Sequence, residues 1–300
     1  TSASIRNSAA PARADAITGA SAHHGFDDLR NASTLSGSYE EDEKTYTLGG
    51  YFSSEKDYLG RAIFMSYGEN FNLENTHAQV AFSSSSDLWD PSIDRELNRY
   101  DRKNHELTLS LTQVITPNHL IGLGYSISKS EGFLGSPYLY LYGKNVTSFE
   151  RLPNSKLTAG FNLKGIHKLN ANNSLHWQYN YADNDWENSA HTLALNNYYH
   201  YDDKHLIGTH FRHYNQSGAF FEQDPDSYTN NSKYIMADYR YGTYSTTTLG
   251  ASDNFKLSDT LTLKSAINYY QTSEHILIKR WNGTGSVQAF FGSLSLTLVR

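Results

Sequence analysis

The chain has 300 residues, 38% hydrophobic and 14% aromatic, with a net charge of −6 and no cysteine. The negative charge argues against a nucleic-acid partner, and the lack of cysteine excludes disulfides and thiolate metal sites. No apolar run reaches the roughly 18 residues of a transmembrane helix, so a membrane crossing requires a closed barrel, because lipid leaves no partner for an open sheet edge. A soluble core of this size wants more Leu, Ile and Val. A wall one side chain thick around a polar interior does not.

Residues 1–25 are small, polar and Ala/Ser-rich, and contain Thr18-Gly19-Ala20-Ser21. They read as a leader, a plug or a first strand. Residues 26–300 read as one β domain. Strand-like segments follow at 45–52, 61–67 and 77–84, where Ala78, Val80 and Phe82 share a face. Leu107, Leu109 and Leu111 then alternate with Thr108, Ser110 and Thr112. After a turn at 116–119, Ile121, Leu123, Tyr125 and Ile127 alternate with small polar-face residues. The alternation is clearest from Leu157 to Asn197, in three runs that include Phe161, Leu163, Trp177 and Tyr179. Residues 206–218 form a further strand, and 234–255 read as one long bent strand. Two more strands end the chain, near 261–269 and 294–299. A period of two puts one apolar and one polar face on each strand.

The connections alternate in length. Short turns fall near 40–44, 68–75, 116–119, 167–174, 201–204 and 256–260. Longer ones fall near 53–58, 85–104, 130–155, 183–190, 221–232 and 273–286. That is the pattern of a bacterial outer-membrane barrel, with short periplasmic turns, longer extracellular loops and an even strand count. The expected fold is all-β: a closed antiparallel transmembrane barrel of about 14 strands, with roughly 12 and 16 as neighbouring counts.

Parity gathers the unusual residues at the loop-bearing end. Glu55, Asp57, Tyr58, Asp87, Trp89, Asp90, Asp183, Asp185, Trp186, Tyr214, Gln216 and Asp224 form an acidic and aromatic rim there. Such a rim suits binding. It equally suits solvated loop tips and the aromatic girdle of any such barrel. Asp183 and Asp185 have the spacing of a calcium-ligand pair but lack a full loop motif, so a structural Ca²⁺ is one reading and no cofactor the other. Ser189 and His191 lie two apart on one strand face, with Asp185 near, which is the minimum for a rim hydrolase. No nucleophile-elbow motif surrounds Ser189. Lys164, His176, Gln178, His210, Arg212 and Lys264 fall on the polar face, where they would set the field of a channel or plug a narrow lumen.

These clusters resemble a known family. The signatures are Thr18-Gly19-Ala20-Ser21, Ser54-Glu55-Lys56-Asp57-Tyr58, Asn75-Thr76, residues 132–138, Asp185-Trp186 with Ser189-Ala190-His191-Thr192, Arg212-His213-Tyr214-Asn215-Gln216, Ala237-Asp238-Tyr239-Arg240 and Tyr269-Tyr270-Gln271. They are similar to a family of uncharacterised Gram-negative outer-membrane barrels catalogued as a domain of unknown function. The resemblance implies an outer-membrane location and brings no substrate. The expected partners are outer-membrane lipid, lipopolysaccharide and other envelope proteins. The expected function is a channel or an envelope scaffold; a rim hydrolase and a soluble β-barrel binding protein are the alternatives.

Overall fold

The computed structural model describes residues 30–55, 58–89, 100–136 and 139–298. Residues 1–25, Asp57 and Asp90 lie outside them. Thirteen strands form one sheet: β1 (Asn31–Glu41), β2 (Lys44–Ser54), β3 (Tyr58–Phe71), β4 (Thr76–Trp89), β5 (Tyr100–Thr116), β6 (His119–Gly132), β9 (Ser155–Asn170), β10 (Asn173–Asn184), β11 (Ser189–His200), β12 (His205–Gln216), β13 (Tyr244–Lys256), β14 (Leu261–Thr272) and β15 (Gln288–Leu298). Each pairs antiparallel with its neighbour in this sequence. The short strands β7 (Tyr140–Tyr142) and β8 (Thr147–Phe149) form a separate hairpin inside the β6–β9 connection.

The two faces differ as the alternation requires. On β5, Leu107, Leu109 and Leu111 are exposed at 39%, 46% and 41% while their neighbours are partly covered. The register carries this face across the sheet, through Leu107 opposite Ile127 and Leu123 opposite Leu163. A large exposed apolar area signals a surface that meets something other than water. Toward the loop end of β5 the same face becomes polar, with Asp101, Lys103 and His105. From Leu107 to Ile115 is about 27 Å of strand at roughly 3.4 Å per residue, comparable to an apolar band about 25 Å tall. The other face is crowded. A Cβ on Gly122 would meet the Lys164 side chain, and one on Gly49 would meet the Phe64 ring. Small residues there let long side chains lie flat across the neighbouring strand.

The connections 133–154, 217–243 and 273–287 are long and fall at one end of the sheet, as the sequence indicates. Those expected to be longer near 53–58 and 183–190 span only 55–57 and 185–188, no more than the turn at 201–204. One expected strand is corrected: 234–255 is not continuous. The strand begins at Tyr244, and before it Tyr239–Tyr241 form a 3₁₀ turn. Asp238 fixes that turn by accepting from the Arg240 N–H at 2.9 Å. The apolar residues Ile235 and Met236 have instead gone into a buried cluster, which a half-exposed sheet face would not have offered them. The helix α1 (Ile276–Asn282) fills part of the β14–β15 connection. Its ends are held by His275, which accepts from the Leu277 N–H, and by Gly283 at φ +78°.

Candidate functional site

The long connections 133–154, 217–243 and 273–287 meet at one end of the sheet and fold together. Their buried core contains Leu134, Leu139, Leu141, Val146, Phe221, Tyr228, Ile235 and Met236, joined by Trp186 from the β10–β11 connection. Trp186 is 2% exposed, stands edge-on to the Phe221 and Tyr241 rings, and donates from Nε1 to the Ser155 carbonyl at 2.8 Å. The Tyr228 hydroxyl donates to the Phe221 carbonyl at 2.7 Å. A small bridge ties the first connection to the second, with the Arg151 N–H donating to the Ile235 carbonyl at 2.9 Å and the reverse bond at 2.8 Å. Arg280 of α1 ties the third to both, donating to the Tyr142 carbonyl and pairing with Asp226. Hydrogen bonding to Arg280 holds the Asp226 carboxyl below its usual range.

Glu150 is the polar centre of this cap. It is 3% exposed and accepts from the Ser136 N–H on one oxygen and from the Ala237 and Asp238 N–H groups on the other, each at 3.1 Å. Burial first, and then the Asp238 charge, push its carboxyl up to about 7. The three N–H donors oppose that rise by favouring the ionised form.

The cap roofs the polar face of the sheet. Gln216 reaches up from β12 and donates to the Arg240 and Gly242 carbonyls. A cavity of about 280 Å³ remains beneath, with Leu134 and Tyr241 of the cap on one side and Asp87, Arg102, Asn104 and Lys156 of the wall on the other. Arg102 pairs with Asp87 at 2.9 Å and lies 4.7 Å from the Trp89 ring centroid, and the Tyr58 hydroxyl donates to Asp87 at 2.7 Å. Lys156 Nζ sits 5.0 Å from the Trp186 ring centroid.

The rim residues named from the sequence thus divide. Tyr58, Asp87 and Trp89 come together on the polar face, and Tyr214 and Gln216 continue that face on β12. Trp186 becomes cap core. Glu55 pairs with Arg30 at 3.2 Å. Asp224 orders its own loop by accepting from the Asp226 N–H. Asp183 lies opposite Ser189 on the apolar side of the wall, and Asp185 accepts from the Leu157 N–H at 3.0 Å. Among the described residues, no group of three or more His, Asp or Glu side chains converges to hold a metal.

Ser189 and His191 are not joined. The Ser189 hydroxyl lies 3.3 Å from that of Ser217, and His191 Nδ1 lies 2.7 Å from the Tyr179 hydroxyl. The residues expected on the polar face lie there by register: Lys164 opposite Gly122, Gln178 opposite Lys164, His210 opposite Asn196, Arg212 opposite Ala194, and Lys264 opposite Asn254. His176 packs edge-on to Tyr198. Glu150, Arg102 and Lys156 were not singled out from the sequence. The expected 85–104 connection is shorter than its sequence suggests, since β4 runs to Trp89 and β5 begins at Tyr100, and this puts Arg102 on a strand; Lys156 lies just before the alternating run from Leu157.

A family model described as "Protein of unknown function (DUF3570)" matches residues 4–104 and 94–298. The chain belongs to this family. No curated protein matches it in sequence. Solved structures match in fold. The siderophore receptor PirA from Acinetobacter baumannii is 8% identical, with a TM-score of 0.58 over 91% of this chain and 49% of that one. PirA from Pseudomonas aeruginosa is 9% identical, with a TM-score of 0.57 over 82% of this chain and 46% of that one. The copper transporter OprC is 9% identical, with a TM-score of 0.57 over 91% of this chain and 50% of that one. This chain therefore spans about half the length of the structures it matches. At these identities the likeness is one of fold alone: this chain shares an antiparallel β wall with those structures.

Proposed function

We propose that this protein is a Gram-negative outer-membrane barrel of about 14 strands, stoppered at its loop end, that acts as an envelope scaffold binding ligands or partners through its cap. The cap carries the reading: a buried apolar core built from three connections roofs the polar face, where an open pore would keep its mouth clear. Strand direction supports closure. Both β1 and β15 run from the loop end to the turn end, so an antiparallel seam between them needs one further strand. The exposed apolar face would meet outer-membrane lipid, and the charged loop end would meet lipopolysaccharide and envelope partners. A gated channel is the second reading, favoured by Lys164, His176, Gln178, His210, Arg212 and Lys264 on the polar face. That the fold neighbours include receptors and a transporter is consistent with either.

Two substitutions on adjacent residues test the membrane crossing. Leu109→Arg places a charge in the apolar belt, with an expected cost of about 2–4 kcal/mol near the bilayer midplane. Thr108→Arg, on the polar face, is expected to cost little. The readout is refolding into lipid vesicles, followed by the shift in gel migration between heated and unheated samples. Equal tolerance of both substitutions, or extraction of the wild type without detergent, would overturn the membrane reading.

A further inference from the structure

We propose that the cavity beneath the cap is a binding site for one small soluble oxyanion, a carboxylate or a phosphate. The inference deepens the scaffold reading and rests on the polar face being the lumen. Register builds the floor of the site. Ser85 lies opposite Asn104, Asn104 opposite Ser130, and Ser130 opposite Lys156, so one row of polar side chains crosses β4, β5, β6 and β9. Arg102 and Asp87 form the next row toward the loops.

The charges in this row do not cancel. Arg102 is neutralised by Asp87, to which it donates from both Nε and Nη2. Lys156 has no carboxylate within ion-pair distance and no hydrogen-bond partner among the described residues; its contacts are the faces of Trp186 and Tyr241. Asp185, a loop carboxylate whose charge reaches Lys156, stays beyond ion-pair distance and accepts the Leu157 N–H on Oδ1. An ammonium held in a roofed cavity against two rings has lost much of its water, and its charge is costly there without a counter-ion.

The Asn104 amide adds a donor beside the serine hydroxyls, which can also donate. Ser130 donates to the Asn104 carbonyl oxygen at 2.7 Å, which leaves the Asn104 amide N–H₂ without a partner among the described residues. The site thus offers the ammonium of Lys156 and the amide of Asn104 on either side of Ser130, and the carboxylate that lines it, Asp87, is engaged by Arg102 and Tyr58. The volume of about 280 Å³ is near the lower limit of small-molecule sites, about 300–1,000 Å³, so the ligand is small. An anionic lipid would need an open side toward the bilayer, whereas this cavity opens on the polar face under the cap.

The test is titration calorimetry on the full chain in detergent, with inorganic phosphate and succinate as separate probes and chloride as the background anion. The expected result is saturable one-site binding of at least one probe. Lys156→Gln should weaken it by about tenfold or more, the size of one charged hydrogen bond. Lys156→Arg should retain most of it. Asn104→Leu, which keeps the charge, should give a second, smaller loss, and Lys103→Gln, on the opposite face, should have no effect. Absence of saturable binding by both probes, or equal binding by wild type and Lys156→Gln, overturns the site. If binding holds but the heat-dependent migration is missing, the membrane reading fails and the site stands. If the migration holds without binding, only the site fails.

Discussion

Trp186→Ala is expected to unfold the cap while leaving the wall intact. Trp186 is the one large cap-core side chain supplied by the short β10–β11 connection, and it joins that strand pair to Phe221 and Tyr241 of the second long connection. Truncating a buried Trp costs about 3–5 kcal/mol, and here the Ser155 carbonyl also loses its donor. Wall strands make their own ladders and do not depend on this ring. Hydrogen exchange should therefore accelerate about 100-fold or more in peptides from 217–243, with little change in β5 and β6. Uniform acceleration across wall and cap would show that the cap is not a separate cooperative unit. No acceleration would show that Trp186 does not hold it.

Glu150→Ala is expected to loosen the same unit through its polar centre. The substitution leaves the buried N–H groups of Ala237 and Asp238 without their acceptor, at about 1–3 kcal/mol each. The wild-type residue should also make the cap pH-dependent. Its carboxyl is raised from the usual range to about 7. A raised pKa favours the protonated form in the folded cap, so this contribution is complete below the unfolded value and is lost as pH rises through about 7. Cap exchange should thus be slowest in mild acid and speed up toward and above neutrality. Glu150→Gln, which stays neutral and keeps one acceptor oxygen, should flatten that profile. A profile of the same slope in Glu150→Gln would place the titration on another group.

The wall is legible in the sequence because it is a local pattern. Leu107, Leu109 and Leu111 alternate, the strand is there, and its partner begins just past a turn at 116–119. The assignment of each connection to one end of the sheet survives, because it depends on counting reversals rather than on exact boundaries; the lengths do not all survive, since 55–57 and 185–188 are as short as turns. The cap is not legible in this way. Tyr234-Ile235-Met236-Ala237 looks like strand, and only the presence of Phe221, Leu141 and Trp186 from distant segments makes it core. Glu150 meets Ala237 across 87 residues, a contact that no local spacing encodes. The described members of the acidic and aromatic rim divide between cap core, polar face, outer wall and loop. Parity assigns an end of the strand but not what folds over it. Lys156 shows the same limit: alternation puts it on the polar face, and only the register with Ser130 and the rings above it make it part of a cavity.

Single-channel recording in planar bilayers tests the stoppered barrel most directly. The wild type is expected to insert and remain closed, with rare or no conductance steps. Trp186→Ala and Glu150→Ala are expected to open stable steps through the same wall. A wild type that conducts continuously as an open pore, unchanged by either cap substitution, would contradict the account.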